Sequence, residues 1–386
     1  MYKTINSFCD LNFLKTKDHV FCLDSGGLDS AYLICRLIKE FNVTVHTLTV
    51  DVGQVDSSPI KLPDDIRSLV IRHEVDAKKE FADEYVLPLL HANGVYLDQH
   101  PLSASLSRPL IAKHLVSLAN ENNIETILHS ATPTQNSMRR FNTSIKDLSF
   151  NGAAGSPYMQ DNISRADKAE YIKSLGGFVT AKRSFSIDTN LLCREFESGE
   201  LDNPEEIRVD EDMFLWTKSC PQEKINIKVS INAGIPTHLN DELLTLTDII
   251  EKLNLTVGSF EIGRYVGLEE GPAQLKVVEV RESPAATVLL KAFSDLINAS
   301  FDYNTILKKR YLDQLWTCEA VEGRWFGSLK SAIDCFNKDF LKSLNGSVTF
   351  EVSHKTLNCV SIISESPTYI SNREKHDSAS SKVRAA

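Results

Sequence analysis

The sequence lacks an apolar run long enough to cross a membrane, which takes roughly 20 residues. Its first fifteen residues also lack the basic-then-apolar order of a signal peptide. The eight cysteines include no Cys-x-x-Cys pair, so the pattern predicts neither a zinc site nor a redox dithiol, and we assign no residue as a resident metal ligand. These absences favour a cytoplasmic protein without a membrane partner.

Positive charge is in short supply. The 42 lysines and arginines are outnumbered by 52 aspartates and glutamates, which gives a net charge of −10. Because a protein that binds nucleic acid needs a positive face, the composition predicts no nucleic-acid partner. A length of 386 residues, of which 42% are hydrophobic, suits two domains with a substantial core.

A hexapeptide rich in glycine and serine separates a predicted strand at residues 20–23 from a stretch with the apolar spacing of a helix. A second apolar run at 43–52 completes a strand, helix and parallel strand. The glycines permit a tight turn, and the first N–H groups of the helix point at any anion there. The hexapeptide, called the phosphate loop below, consists of Ser25, Gly26, Gly27, Leu28, Asp29 and Ser30. It lacks the ending of a Walker A loop and the three-glycine dinucleotide fingerprint.

Residues 1–165 alternate predicted strands and helices, and this predicts an α/β domain built on a doubly wound parallel sheet. Its further elements are predicted as a strand at 66–71, helices at 76–91 and 108–122, and a strand at 125–129. From residue 166 to 372 hairpin-like strands are interleaved with helices predicted at 241–253, 285–300, 304–320 and 329–344, which indicates a second α+β domain for substrate binding. Residues 373–386 are predicted to be a frayed polar tail.

Several segments carry a resemblance to a known family. The phosphate loop resembles that of the N-type ATP pyrophosphatases. Segments in the order and spacing of argininosuccinate synthases then follow along nearly the whole chain, at residues 51–54, 76–81, 105–113, 129–132, 186–191, 282–287 and 365–367. The resemblance implies an AMP-forming ligase that uses ATP and Mg²⁺ on small, amino-acid-like substrates. In that family ATP adenylates a ureido oxygen, and the amine of aspartate then displaces AMP.

The resemblance also implies where ATP binds. The phosphate loop would hold pyrophosphate, and Asp29 either helps to hold Mg²⁺ or favours the helix N-terminus. Close backbone approach to adenine is expected at Val50 and Gly53, which end the second strand. The ATP-binding set is completed by Gln54, Ser130 and Thr132, and the catalytic candidates are Asp29, Arg108 and Arg140.

The substrate side departs from the family pattern. The family's citrulline-contacting tyrosine falls at His100, one of its serines at Glu195 and a second tyrosine at Arg281, while the glutamate that meets the α-ammonium falls at Ile262. An arginine at 281 suits an anionic or carboxylate-bearing group. A flexible lysine-bearing turn is replaced by residues 133–137. The substrate-binding candidates are His100, Ser105, Thr132, Asn136, Ser137, Arg140, Ser186, Glu195 and Arg281.

Three interpretations of function follow. The first is a paralogue that still makes an adenylate and joins it to an amine such as aspartate, on a ureido, carboxyl or amide substrate other than free citrulline, in specialised biosynthesis. The second is an authentic, divergent argininosuccinate synthase of arginine biosynthesis, and the third is a non-catalytic ATP-binding paralogue. Because the family's long C-terminal helix has no counterpart after residue 367, a homodimer is expected in place of a tetramer.

Overall fold

The computed structural model describes residues 2–16, 18–54, 60–179, 185–220, 223–271 and 275–373. Residues 374–386 of the predicted polar tail lie outside these ranges. Up to residue 179 the strands are β1 (Lys3–Ile5), β2 (His19–Leu23), β3 (Thr44–Asp51), β4 (Ile60–Lys61), β5 (Ile71–Asp76), β6 (Val95–Tyr96), β7 (His100–Pro101), β8 (Thr126–Leu128), β9 (Ala153–Gly155) and β10 (Phe178–Val179). The helices are α1 (Leu28–Lys39), α2 (Asp64–Arg67), α3 (Lys78–Phe81), a π-helical turn (Ala82–Val86), α4 (Leu87–His91), α5 (Ala104–Glu121), α6 (Asn136–Asp147) and α7 (Arg165–Ser174).

Six of these strands form a parallel sheet in the order β1-β9-β8-β2-β3-β5. The predicted doubly wound α/β fold is therefore confirmed. Strand β3 lies on one side of β2 and β8 on the other, so the order in which strands are added to the sheet reverses at β2. Ligands bind outside the carboxyl ends of the strands at such a point. The segments that follow β2, β3 and β8 lie at that edge, and they are the phosphate loop, residues 52–54 and residues 129–135.

The predicted strand at residues 66–71 is wrong in its position. Asp64–Arg67 is a helical turn preceded by Pro63, and it buries Ile66. The strand begins only at Ile71 and reads Ile-Arg-His-Glu-Val-Asp. Because β5 is the edge of the sheet and both its faces are largely exposed, its sequence is polar and gives no apolar strand signal.

The second half of the chain contains two antiparallel sheets, with strand orders β11-β12-β17-β16 and β15-β14-β13-β18-β19. Its strands are β11 (Ser186–Thr189), β12 (Arg194–Glu197), β13 (Ile225–Asn232), β14 (Ile235–Leu239), β15 (Glu242–Leu243), β16 (Arg264–Glu270), β17 (Lys276–Glu282), β18 (Gly346–Ser353) and β19 (Thr356–Ser364). Its helices are α8 (Leu246–Thr256), α9 (Pro284–Ser300), α10 (Tyr303–Val321) and α11 (Ser328–Leu341). These elements form the predicted α+β arrangement.

One hydrophobic core joins the two halves. It contains Phe21 and Leu48 of the parallel sheet together with Leu289 of α9 and Trp316 of α10. A second cluster, which includes Leu33 of α1, lies on the other face of the parallel sheet. No helix among the described residues is long and apolar enough to span a membrane.

A row of three histidines crosses the parallel sheet on β2, β3 and β5. Nδ1 of His19 lies 2.8 Å from Nε2 of His46, and Nδ1 of His46 lies 3.0 Å from Nε2 of His73. Burial, together with the two flanking imidazoles, lowers the pKa of His46 to about 4. The middle ring is therefore neutral at physiological pH.

Candidate active site

The phosphate loop is held in shape by its own side chains. The Asp24 carboxylate accepts hydrogen bonds from the backbone N–H of Gly26 (2.9 Å) and from the Ser30 hydroxyl (3.1 Å). Gly26 has φ of 67°, a conformation that glycine adopts without strain. Gly27 is the N-cap residue of α1 and, as a glycine, makes no side-chain capping hydrogen bond. The N-terminal amides of α1 thus face the loop, as anion binding requires.

Asp29 forms an ion pair that was not expected from either of its predicted roles, which were to help hold Mg²⁺ or to favour the helix N-terminus. Nζ of Lys168, on α7, lies 2.7 Å from the Asp29 carboxylate, and the lysine side chain is 6% exposed. The hydroxyl of Tyr158 donates to the backbone oxygen of Asp29 (2.8 Å), and the Lys168 ammonium lies over the Tyr158 ring. Helix α7, which the predicted boundary at residue 165 assigns to the second domain, therefore contacts the phosphate loop.

Residues 52–54 form a tight turn after β3. The Gln54 amide donates to the Val50 carbonyl (2.9 Å) and accepts from the Val52 N–H (2.8 Å). Gly53 has φ of +93°, and a Cβ placed on it would lie 2.8 Å from the Leu191 backbone. The Leu191 N–H donates to the Val52 carbonyl at 2.6 Å. The Leu191 backbone thus lies close to Gly53, whereas the approach of adenine expected there stays a prediction.

The turn after β8 leads into α6. There, candidate residues of the turn and of α6 lie close to Arg108 of α5. The Thr132 N–H donates to the Gln135 side chain (3.0 Å), and Ser130, two residues earlier, is half-buried. Nε of Arg108 donates to the Ser137 hydroxyl (3.0 Å). The same guanidinium pairs with Asp188 of β11 at 2.5 Å. Arg108 therefore links α5 and α6 to the first strand of the antiparallel sheet.

The Arg281 guanidinium lies at the centre of a buried charge cluster. Nη1 donates to the Pro101 carbonyl (2.7 Å) and pairs with Glu195 (2.8 Å). Nε donates to Glu279 at 3.0 Å, and Nη2 donates to both Glu269 and Glu279. These five contacts match the five N–H groups of a guanidinium. The anion that Arg281 was expected to bind is therefore supplied by three carboxylates of the chain, here called the carboxylate cluster.

The strand register explains one of these pairs. Glu195 of β12 lies directly opposite Arg281 of β17 in the antiparallel sheet. Burial raises the pKa of Glu195 to about 7 against the opposing charge of Arg281. Burial also raises the pKa of Glu279 well above its ordinary value.

Arg140 joins the cluster from α6. Its Nη2 lies 3.1 Å from Glu269 Oε1, and its Nε donates to the Val321 carbonyl (3.2 Å). Asn136, one turn earlier, donates to the backbone oxygen of Glu270 (3.0 Å). Glu269 thus connects the two arginines that the sequence assigned to the substrate.

His100 is buried beside the same cluster. Its ring is 1% exposed, and neither ring nitrogen has a hydrogen-bond partner among the described residues. Burial and the nearby Arg281 lower the pKa of His100 to about 4, so the ring is neutral. Ligand atoms of His100, Glu269 and Glu279 lie within 4.8 Å of one another. Both carboxylates already pair with Arg281, which acts as their counter-cation.

The other candidates and Ile262 are placed as follows. Ser105 is buried in the first turns of α5, close in sequence to Arg108. Ser186 is exposed at the start of β11. Ile262 is buried and belongs to the main hydrophobic core.

Sequence reasoning missed Lys168, Asp188, Glu269 and Glu279. Glu279 and Arg281 are two residues apart on one strand, so their side chains lie on the same face. This two-residue spacing is a sequence signal from which the pair could have been predicted. Glu269 lies on the same face of the neighbouring strand, which only the β16 to β17 register reveals. Lys168 gives no local signal, because its partner is 139 residues away.

Two family models match the chain along most of its length. One, described as the arginosuccinate synthase N-terminal HUP domain, matches residues 19–176. The other, described as the arginosuccinate synthase C-terminal domain, matches residues 185–381. The chain belongs to the argininosuccinate synthase family. Members are ATP-dependent ligases that form AMP and pyrophosphate, so the predicted reaction class is confirmed.

Relatives named argininosuccinate synthase are similar to this chain over most of its length. That of Sulfurisphaera tokodaii is 35% identical over 330 residues, which is 85% of this chain and 84% of the relative. That of Sulfolobus acidocaldarius is 35% identical over 332 residues, 86% of this chain and 85% of the relative. A solved structure, the U34-tRNA thiolase NcsA from Methanococcus maripaludis, aligns with 42% of this chain and 58% of its own at a TM-score of 0.28 and 14% identity, too weak a likeness to inform the function.

Proposed function

We propose that this ligase adenylates an acceptor other than free citrulline and joins it to an amine such as aspartate. The observation that carries the proposal is the pair of Glu195 and Arg281. Both stand where the family pattern has citrulline-contacting residues, and they face one another across two strands at 2.8 Å. The two departures are therefore one coupled change, which replaces neutral hydroxyl groups by a buried ion pair.

The reaction would proceed in two balanced steps. An oxygen of the acceptor attacks the α-phosphorus of ATP, and pyrophosphate leaves. The amine then attacks the activated carbon, AMP leaves, and the amine nitrogen loses a proton. The N-terminal amides of α1 would stabilise the charge on pyrophosphate. Mg²⁺ would enter bound to ATP and neutralise its phosphate oxygens.

The remaining proposed roles follow from position. Thr132 and Gln54 would border ATP, because they follow β8 and β3 at the carboxyl edge of the sheet. Arg108, Asn136 and Ser137 would border the amine, since they lie between this edge and the antiparallel sheet.

An authentic citrulline-using enzyme is the second candidate. The names of the relatives favour it, and they match most of this chain. A non-catalytic paralogue is a third, and the intact hydrogen-bonded phosphate loop argues against it.

The test is a screen of pyrophosphate release with citrulline, other ureido compounds and amides, with and without aspartate. We expect release with a non-citrulline acceptor, and we expect it to be lost in Ser30→Ala and retained in Ser331→Ala, an exposed control on α11. Citrulline-dependent AMP release that exceeds every other acceptor would favour the second candidate. The absence of ATP–pyrophosphate exchange with every acceptor would favour the third.

A further inference from the structure

The two buried arginines on the acceptor side share one carboxylate. Glu269 of β16 places Oε1 3.1 Å from Nη2 of Arg140, and its Oε2 accepts a hydrogen bond from Nη2 of Arg281. All three side chains are at most 5% exposed. The arginines come from different halves of the fold, one from α6 and the other from β17. Glu269 therefore acts as a shared anion between two cations that a substrate would otherwise have to neutralise.

The charge state of Glu269 fits this role. Burial opposes its ionisation, but Arg281 and Arg140 outweigh burial and lower the pKa of Glu269 to about 2. The neighbouring Glu279 differs, because burial raises its pKa. Glu269 is therefore an ionised carboxylate of the cluster at neutral pH.

A carboxylate on an incoming substrate would meet unfavourable surroundings here. The Arg281 guanidinium already donates four hydrogen bonds to acceptors of the chain and forms an ion pair with Glu195. A substrate carboxylate could pair with Arg281 only by displacing Glu269 or another member of the carboxylate cluster. A displaced, ionised glutamate that stays buried without its partners is strongly unfavourable. If no carboxylate is displaced, the added anion faces Glu269 itself.

We propose that Glu269 is a specificity residue that supplies the carboxylate from within the chain, so that the acceptor is a ureido or amide compound with no carboxylate at this end. This inference rests on the proposed function, since it takes the surroundings of Arg140 and Arg281 as the acceptor site. It narrows the proposed acceptor from any compound other than citrulline to one chemical class, ureido or amide compounds with no carboxylate at this end. His100, whose ring nitrogens have no partner among the described residues, would face the uncharged end of such an acceptor.

The test compares two matched probes by titration calorimetry in the presence of Mg²⁺ and α,β-methylene-ATP. One probe is citrulline, and the other is N-(4-aminobutyl)urea, which is citrulline with its carboxylate replaced by hydrogen. We expect the wild type to bind the decarboxylated probe at least about tenfold more tightly. Tighter binding of citrulline by the wild type would overturn the proposal without any variant, so the test does not depend on the folding of a mutant.

Glu269→Gln removes the charge and keeps the size of the side chain. We expect this variant to gain at least about tenfold in citrulline affinity, because both arginines then lack their shared anion. Glu270→Gln is the matched control, since it changes the same charge on the next, exposed residue of β16. No gain in folded Glu269→Gln, or an equal gain in Glu270→Gln, would contradict the assignment. If the wild type binds neither probe, the citrulline affinities of the two variants still decide whether Glu269 excludes a substrate carboxylate. Because calorimetry needs no turnover, the inference is judged separately from the pyrophosphate screen.

Discussion

At the scale of single residues, the site is shaped by contacts between positions that are far apart in sequence. Glu195 and Arg281 were both visible as departures from the family pattern, and Arg281 was expected to meet an anion. What the sequence could not show is that the anion belongs to the chain, because this depends on which residues face each other across β12 and β17. Residue types were predictable, whereas their pairing required the register.

Gly53 offers a test of one such contact. We expect Gly53→Ala to lower the free energy of unfolding by at least about 1 kcal/mol more than Gly176→Ala. Both glycines have positive φ, of 93° and 88°, but a Cβ at 53 meets the Leu191 backbone at 2.8 Å and one at 176 meets nothing within 4 Å. Urea unfolding of both variants measures the difference. Equal losses would mean that backbone conformation alone requires glycine at 53.

His129 predicts a pH dependence of stability. Burial lowers its pKa to about 4, against 6.5 in the unfolded chain, and its Nε2 lies 2.9 Å from the Asn142 side-chain oxygen. Because the unfolded state binds the extra proton, the stabilisation is fully present above pH 6.5 and falls as the pH drops towards 4. Between pH 7 and 5 this loss amounts to about 2 kcal/mol.

Urea unfolding at the two pH values checks the pH dependence. We expect His129→Gln to reduce the measured loss by about 2 kcal/mol, because a neutral amide has no proton to take up in this range. The rest of the loss stays, since His46 and His100 also have a pKa of about 4 in the folded chain. His354→Gln is the control, since that side chain is 63% exposed. A loss of the same size in wild type and His129→Gln would contradict the assignment.

At the scale of elements, apolar spacing predicted the buried helices and central strands well. The strand before α1 and the helices at 285–300, 304–320 and 329–344 lie within a few residues of their predicted bounds. The errors fall where tertiary position changes the pattern. Edge strand β5 is polar because little of it is buried. Helix α8 starts at Leu246, five residues after its predicted start at 241, because the capping box at Thr245 begins the helix there.

The capping box of α8 gives a prediction for an element. The Thr245 hydroxyl accepts from the N–H of Asp248, whose carboxylate accepts from the N–H of Thr245. We expect Thr245→Ala to cost about 1 kcal/mol in urea unfolding, because it leaves an N-terminal amide without its partner. Glu251→Ala, an exposed change in the same helix, should cost less than about 0.5 kcal/mol. Equal effects would indicate that the cap contributes nothing.

At the scale of the whole molecule, the predicted division into two domains is less distinct in space than in sequence. Helix α7 binds Asp29 through Lys168, and the main core runs through both halves. We therefore propose a boundary after residue 176, where the first family match ends, in place of 165. Sequence patterns show where the strand periodicity changes but not which helices pack together.

The shared core predicts that the two halves unfold together. All three tryptophans lie beyond residue 200, and Trp325 stacks on Tyr85 of the first half, so their fluorescence reports on the second half and on its contact with the first. We expect Leu33→Ala, in the cluster under α1, to destabilise the chain by about 2 to 5 kcal/mol and to shift the fluorescence and circular-dichroism transitions equally. Leu255→Ala, 67% exposed, is the control. A fluorescence transition that does not move would show that the halves unfold separately.

The histidine row across the parallel sheet limits how protons can be arranged there. A neutral imidazole carries one hydrogen, and each of the two junctions uses one. The rings must therefore all donate in the same direction, either from His19 towards His73 or the reverse, and a change of direction moves every hydrogen together.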